Sequence, residues 1–336
     1  MQRGPIRCSE SAVTDTLSDV LRAVRLTGAV FFTVDASNPW VTDTPHAREI
    51  APHILPGVEH VIAYHVIAEG SCCGGLVDEP PIQLEAGDIV VFPQGDAHVI
   101  SSAPGMRGEP ALEAMRATSQ GLPVSISCQG GGADRARLIC GFLGCDARPF
   151  NPLLATLPRM IHVRGTSGAD STLRRLVELA VVESNAPKSG TDCMLSRLSE
   201  LLFVEVVRHY VASLPPEGVG WFAGLRDESV GRALQRLHHR PAHAWSLEEL
   251  AKEVGTSRSV LAERFTHLVG MPPIQYLTQW RIQLAASLLR STKSSLAEVA
   301  DRVGYGSEAA LSRAFKRWVG VAPAHYRRAE SSQATE

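Results

Sequence analysis

The stretch "VADRVGYGSEAALSRAFKRWVGVAPAHY", Val299 to Tyr326, decides how the C-terminal part folds, because it occurs twice. Its counterpart is "LAKEVGTSRSVLAERFTHLVGMPPIQY", Leu250 to Tyr276. The A-x-x-V-G at Ala251 returns at Ala300, and Phe265, Gly270, Pro273 and Tyr276 return at Phe315, Gly320, Pro323 and Tyr326. One extra residue sits in the second turn. A repeated supersecondary unit is the reading such self-similarity supports. Within each copy, Gly255 or Gly304 stands where a first helix must end in a left-handed residue. Ser257 or Ser307 stands where a second helix needs its N-cap. Helix, tight glycine turn and capped second helix make a helix-turn-helix, whose second helix enters a DNA major groove. Leu261, Phe265, Leu311 and Phe315 are the packing residues of the two units.

Outward from the repeat, Gln275 to Arg290 reads as one amphipathic helix that sets the spacing of the two units. Leu277, Trp280, Ile282, Leu284, Ala285, Leu288 and Leu289 form its apolar face. Charge divides at the same place. Residues 1–220 hold 17 Lys/Arg against 24 Asp/Glu, whereas residues 221–328 hold 16 against 9. Net charge therefore swings from −7 to +7, although the 336-residue chain carries only −2. An acidic half joined to a basic one is the pattern of a sensor or catalytic domain attached to a polyanion binder.

The segment "AEVADRVGYGSEAALSRAFKRWVGVAPAHYRR" closely resembles the signature of the AraC-type transcriptional regulators, and the resemblance covers both units, from about Glu228 to Arg328. Leu311 departs from it, standing where a Phe is usual. The resemblance implies a two-headed reader occupying two successive major grooves on one face of DNA. The exposed face of the first recognition helix carries Arg258, Ser259, Ala262 and Glu263. By family position Ser259, Ala262 and Glu263 lie toward the bases, as do Glu308, Ala309, Ala310 and Arg313 in the second helix. Arg313 is the sharpest of these, since Arg pairs bidentately with guanine. Ser257, Arg264, Ser307, Lys316 and Arg317 are expected on the phosphate backbone, and Arg327 and Arg328 on phosphate or water.

The first half has a different texture. "DTLSDVLRAVR", from Asp15, is a short amphipathic helix. From Gly28 to about Val163, short apolar runs such as "GAVFFTVD", "HVIAYHVIAEG" and "LICGFLGC" alternate with Gly, Pro, Asn and Asp. This is the pattern of a many-stranded antiparallel sandwich or barrel. "GDIVVFPQGDAH", Gly87 to His98, resembles the second motif of the cupin barrels, a double-sheet jelly roll. The resemblance places His98 inward on the strand after Pro93. The first cupin motif is poorly matched: "PGVEHVIAYHVIAEGSCCGG" offers Glu59, His60, His65 and Glu69 but no His-x-His pair. His65, Cys72 and His98 are thus the expected lining of a sensing pocket. A divalent metal in the barrel, the other reading, would take His65 and His98 with Cys72 as a further donor.

"AYHVIAEGSC", "LEAGDIVVFPQGDAH", "LICGFLGCDARPFNPLLATLP" and "WFAGLRDESVGRAL" extend the resemblance to AraC-type regulators with a cupin sensor. The expected fold is two-domain α+β, with a disordered segment at 1–14 and the barrel at 15–165. A helical hairpin at 166–215 is the candidate dimer interface, its helices at 170–184 and 192–213. A linker at 216–226, an all-α double helix-turn-helix domain at 227–328 and a tail at 329–336 complete it. The turn-rich insertion that begins at Ala103 reads as mobile. Seven cysteines in no regular framework suggest free thiols in a reducing cytoplasm. Cys72 with Cys73, and Cys140 with Cys145, are candidates for a redox switch or, as the plainer reading, buried small hydrophobes. The N-terminus lacks a signal-peptide core and no apolar run is long enough for a membrane span.

These features lead to the expectation of a cytoplasmic homodimer that binds an operator in double-stranded DNA. It would respond to a small effector, metal or redox signal and act mainly as an activator through RNA polymerase. A cupin-type metal-dependent enzyme with a helical extension is the alternative, and it leaves the basic repeat unexplained. A nonspecific architectural DNA binder leaves the barrel unexplained.

Overall fold

The structure, a computed structural model, describes residues 15–24, 26–58, 60–110, 124–145, 149–165, 172–215 and 218–333. The segment 1–14, Glu59 and residues 111–123 of the insertion lie outside the described residues.

The chain opens with α1 (Thr16–Ala23), capped by the Asp15 carboxylate, which accepts from the Leu17 amide. Ten strands follow among the described residues: β1 (Leu26–Ser37), β2 (Val41–Thr44), β3 (His60–Glu69), β4 (Ser71–Leu76), β5 (Ile82–Glu85), β6 (Ile89–Phe92), β7 (His98–Ser101), β8 (Val124–Gln129), β9 (Arg135–Cys145) and β10 (Ile161–Val163). They form a six-stranded sheet in the order β10-β6-β3-β9-β1-β8 and a four-stranded sheet in the order β2-β7-β4-β5. All pairings are antiparallel except β1 with β8, which is parallel and departs from the expected all-antiparallel barrel.

The runs in β3 and β9 are apolar without alternation because the large sheet is covered on both faces. One face, with Phe32, Val34, Val90, Phe92, Leu138 and Phe142, packs toward the small sheet. The other, with Phe31, Ile62, Tyr64, Val66, Val91 and Leu143, packs against a helical hairpin. That hairpin is α4 (Thr172–Asn185) and α5 (Thr191–Ser213), after a short α3 (Pro152–Thr156). The Tyr64 hydroxyl and Ser199 Oγ, 2.6 Å apart and both buried, tie the sheet to α5.

Two helices differ from the sequence expectation. α2 (Ala47–Ile54) lies between β2 and β3 and contains Pro52; eight residues with a proline are too few to display a helical period. Trp221–Arg226, taken as linker, is α6, with Trp221 and Phe222 buried in the core. The connection is correspondingly shorter.

The C-terminal domain continues as α7 (Glu228–His239), α8 (Leu247–Glu253), α9 (Arg258–Val269), α10 (Pro273–Ser291), α11 (Leu296–Val303), α12 (Glu308–Val319) and α13 (Pro323–Gln333). The last helix runs past position 328. The turns form where the glycines stand, with φ of +74° at Gly255 and +86° at Gly304. At Gly304 a side chain is excluded twice over, since a Cβ would also lie 2.6 Å from the Ala242 backbone. The second unit has its own core of Ile282, Leu289, Val299, Val303, Leu311 and Phe315. The first unit shares a continuous core with the outer face of the large sheet and the hairpin.

Candidate DNA interface and barrel interior

Each recognition helix starts at a serine cap. Ser257 Oγ accepts from the Val260 amide at 3.3 Å and Ser307 Oγ from the Ala310 amide at 3.2 Å. With Leu261, Phe265, Leu311 and Phe315 fully buried, helical periodicity turns the opposite face outward. Arg258, Ser259, Glu263, Glu308, Ala309 and Arg313 are exposed there, and Ala262 and Ala310 are half-buried beside them. Lys316 and Arg317 are exposed one turn further on. The N-terminal amides of α9 and α12 add partial positive charge at the same ends.

Two of the expected backbone-contacting arginines are engaged elsewhere. Arg264 Nε donates to the buried Asp227 carboxylate at 2.5 Å, and that carboxylate also caps α7 through the Ser229 and Val230 amides. Arg264 therefore closes the first unit onto its own first helix. Arg327 donates to the carbonyls of Leu289 and Ser294 at 3.3 and 2.6 Å, bracing the end of α10.

Inside the barrel, His65 on β3 and His98 on β7 are 3% and 1% exposed. Their Nε2 atoms are 2.8 Å apart. His65 Nδ1 is 2.8 Å from Cys140 Sγ, and His98 Nδ1 is 2.8 Å from the Asp96 carbonyl. Burial lowers both imidazoles, His98 to about 4 and His65 well below its ordinary value, so both are neutral. The carbonyl at one end then settles every proton. It can only accept, so His98 carries its hydrogen on Nδ1 and accepts at Nε2. His65 therefore donates from Nε2 and accepts at Nδ1, where the Cys140 thiol donates. Burial raises that thiol, which keeps it protonated. Phe92 stacks on His98 at 3.8 Å between ring centroids and fixes its plane.

The two imidazole nitrogens named in the metal reading thus face each other, 2.8 Å apart. Among the described residues no three His, Cys, Asp or Glu side chains converge to hold an ion. The cysteines of the two candidate redox pairs face different ways. Cys72 and Cys73 are successive on β4 and point to opposite faces. Cys140 belongs to the barrel interior whereas Cys145 belongs to the helix-covered face. Burial raises Cys72 to about 12, far from the thiolate form that oxidants attack.

A family model described as a cupin matches residues 15–212, and one described as a helix-turn-helix domain matches residues 250–329. A putative AraC-like transcription regulator of Streptomyces antibioticus is 33% identical over 94% of this chain and 98% of its own length. The chain belongs to the AraC family of transcription regulators. A second relative, the regulator AlkR of Acinetobacter baylyi, is 28% identical over 93% of this chain and 99% of its own. The DNA-binding domain of AdpA, solved with a target DNA, is 33% identical, covering 33% of this chain and 98% of that one, with a TM-score of 0.31. This AraC-type protein is thus a DNA-binding regulator of two domains, a β-rich cupin and a helical reader. No described helix is long and apolar enough to cross a membrane.

One residue of this regulator escaped sequence reading. Gln283, in the middle of α10, is fully buried. Its Nε2 donates to the Ala23 carbonyl of α1 at 3.1 Å, and its Oε1 accepts from the Phe150 amide at 3.1 Å. Both partners belong to the cupin side. The helix that spaces the two readers is therefore clamped to the cupin domain by one amide that satisfies two backbone groups. A polar residue among the apolar positions of that helix was the only signal.

Proposed function

We propose that this regulator binds its operator as a homodimer in the cytoplasm, that its cupin domain responds to a small effector, and that it activates transcription through contact with RNA polymerase. The observation that carries the response is the Gln283 clamp together with the shared core beside it. Any ligand that repacks the cupin side has a direct path to the helix that spaces the readers. An effector acts only through different affinity for two states, and one buried amide with two partners has discrete made and broken states. A metal-dependent enzyme, the other reading, leaves the basic repeated helix-turn-helix without a role.

For the dimer, the outer face of the hairpin exposes Leu179, Met194 and Leu201, the last at 52%. Met194 and Leu201 are two turns apart on α5 and share a face. Their exposure supports a partner of the same kind, because large apolar side chains repeated on one helix face favour burial. Leu201→Glu is expected to turn a dimer into a monomer in analytical ultracentrifugation. Affinity for DNA with two half-sites should fall about 100-fold through lost avidity, with half-site affinity unchanged. A wild-type protein that sediments as a monomer on and off DNA removes the dimer from this reading.

A further inference from the structure

A groove of about 570 Å³ lies between the edge of the large sheet and the hairpin, away from the barrel interior. Its floor is the turn at Ala86 and Gly87 and the end of β10, where Gly87 and Gly165 pack so closely that a Cβ on Gly165 would lie 2.4 Å from the Gly87 backbone. Asp88 fixes this floor, accepting from the Gly165 amide at 2.9 Å while its other oxygen lies 2.9 Å from His162 Nε2. Ile67, Val163, Leu173, Val177 and Val181 supply apolar walls.

The polar groups of the groove are Arg164, Arg174, Glu178 and His209. Arg174 and Glu178 pair at 2.9 Å and cancel. His209 turns Nδ1 to its own helix, 3.1 Å from the Glu205 carbonyl, which leaves Nε2 as its second polar atom. Arg164 is exposed, and among the described residues no hydrogen bond or ion pair engages it. The groove therefore has apolar walls and one surplus cation. Its volume falls in the range of small-molecule sites, about 300–1,000 Å³.

We infer that this groove is the effector site of the regulator, and that it takes a small monocarboxylate with an apolar body, the carboxylate on Arg164 and the body against Val163, Val177 and Val181. The inference rests on the reading that the cupin side binds an effector, and it moves that site from the barrel interior to the sheet–hairpin cleft. Leu173 and Val177 line the groove and also belong to the core that continues through Phe222 and Leu234 into the first reader. A ligand wedged there presses on packing shared with the DNA-binding domain.

The test is calorimetric titration of the full chain with octanoate, and with octanol as the same body without the charge. Wild type should bind octanoate saturably and octanol at least tenfold more weakly. Arg164→Glu, on an exposed side chain, should raise the octanoate Kd at least tenfold. Ala86→Trp, which fills the groove from an exposed turn, should do the same by another route. Both variants should keep wild-type DNA affinity without ligand. Absence of saturable octanoate binding overturns the inference, as does binding unaffected by both substitutions. The broader reading is judged separately: a different effector that binds the variants like wild type and changes DNA affinity would preserve it while excluding this groove.

Discussion

Arg313→Ala should weaken binding to the operator by about 1–3 kcal/mol, roughly 5- to 150-fold, with the loss confined to particular base pairs. Arg313 stands on the exposed face of α12, one turn beyond the serine-capped first turn and opposite the buried Leu311 and Phe315. Its side chain extends from a helix fixed by its buried core, so on a DNA-bound α12 the guanidinium is expected to reach a base edge. The comparison that interprets the result is Lys316→Ala, an exposed cation one turn on. A phosphate contact there predicts loss that is uniform across sequences and a salt slope lower by about one. The measurement is affinity for a panel of single-base operator variants at several salt concentrations. Equal loss on every sequence for Arg313→Ala would assign it to the phosphate backbone and leave the second unit without its main base contact.

The protein should also lose stability steeply between pH 6.5 and 5. His65, His98 and His238 are buried and neutral, with His98 lowered to about 4, His238 to about 3 and His65 well below its ordinary value, in each case chiefly by burial. In the unfolded chain each protonates near 6.5. A depressed histidine binds its proton in the unfolded state first, so its contribution is complete above about 6.5 and declines as pH falls toward the folded value. At pH 5 the loss is about 2 kcal/mol each for His98 and His238, hence about 4 kcal/mol, and His65 adds in the same direction. That is a large part of the roughly 5–15 kcal/mol that stabilises ordinary proteins. Urea unfolding at pH 7.5, 6.0 and 5.0 reads it directly, and His238→Phe should remove about a third of the pH slope. A midpoint that does not move over this range would mean that these imidazoles are solvated or charged in the fold.

What was legible from sequence follows from what is local. The helix-turn-helix units declare themselves because a left-handed glycine, a serine cap and a buried Leu/Phe pair all lie within one short segment. The strands of the cupin were legible as apolar runs between turn residues, and His98 as the start of an inward strand after Pro93. What was hidden depends on partners far away in the chain. The protons on His65 and His98 are dictated by Cys140, 75 residues from His65, and by a backbone carbonyl at Asp96. Arg264 looks like a free cation until Asp227 is seen 37 residues earlier. Trp221 and Phe222 looked like linker because α6 is only six residues long, and its burial comes from neighbours rather than from its own pattern. Gln283 reads as an ordinary polar helix residue, and only the approach of Ala23 and Phe150 makes it a clamp. The groove is lined by β3, the turn before β6, β10 and the hairpin, segments with no common motif.

In the proposed mode of binding, one chain reads two successive major grooves, one with α9 and one with α12. Selection of bound sequences from a random DNA pool, followed by hydroxyl-radical footprinting of the winner, tests it directly. Two short conserved blocks per protomer should emerge, about 10–10.5 base pairs apart on one face, with Arg313→Ala erasing preference in one block and leaving the other. A single block, or a pool that never converges on a sequence, would contradict it.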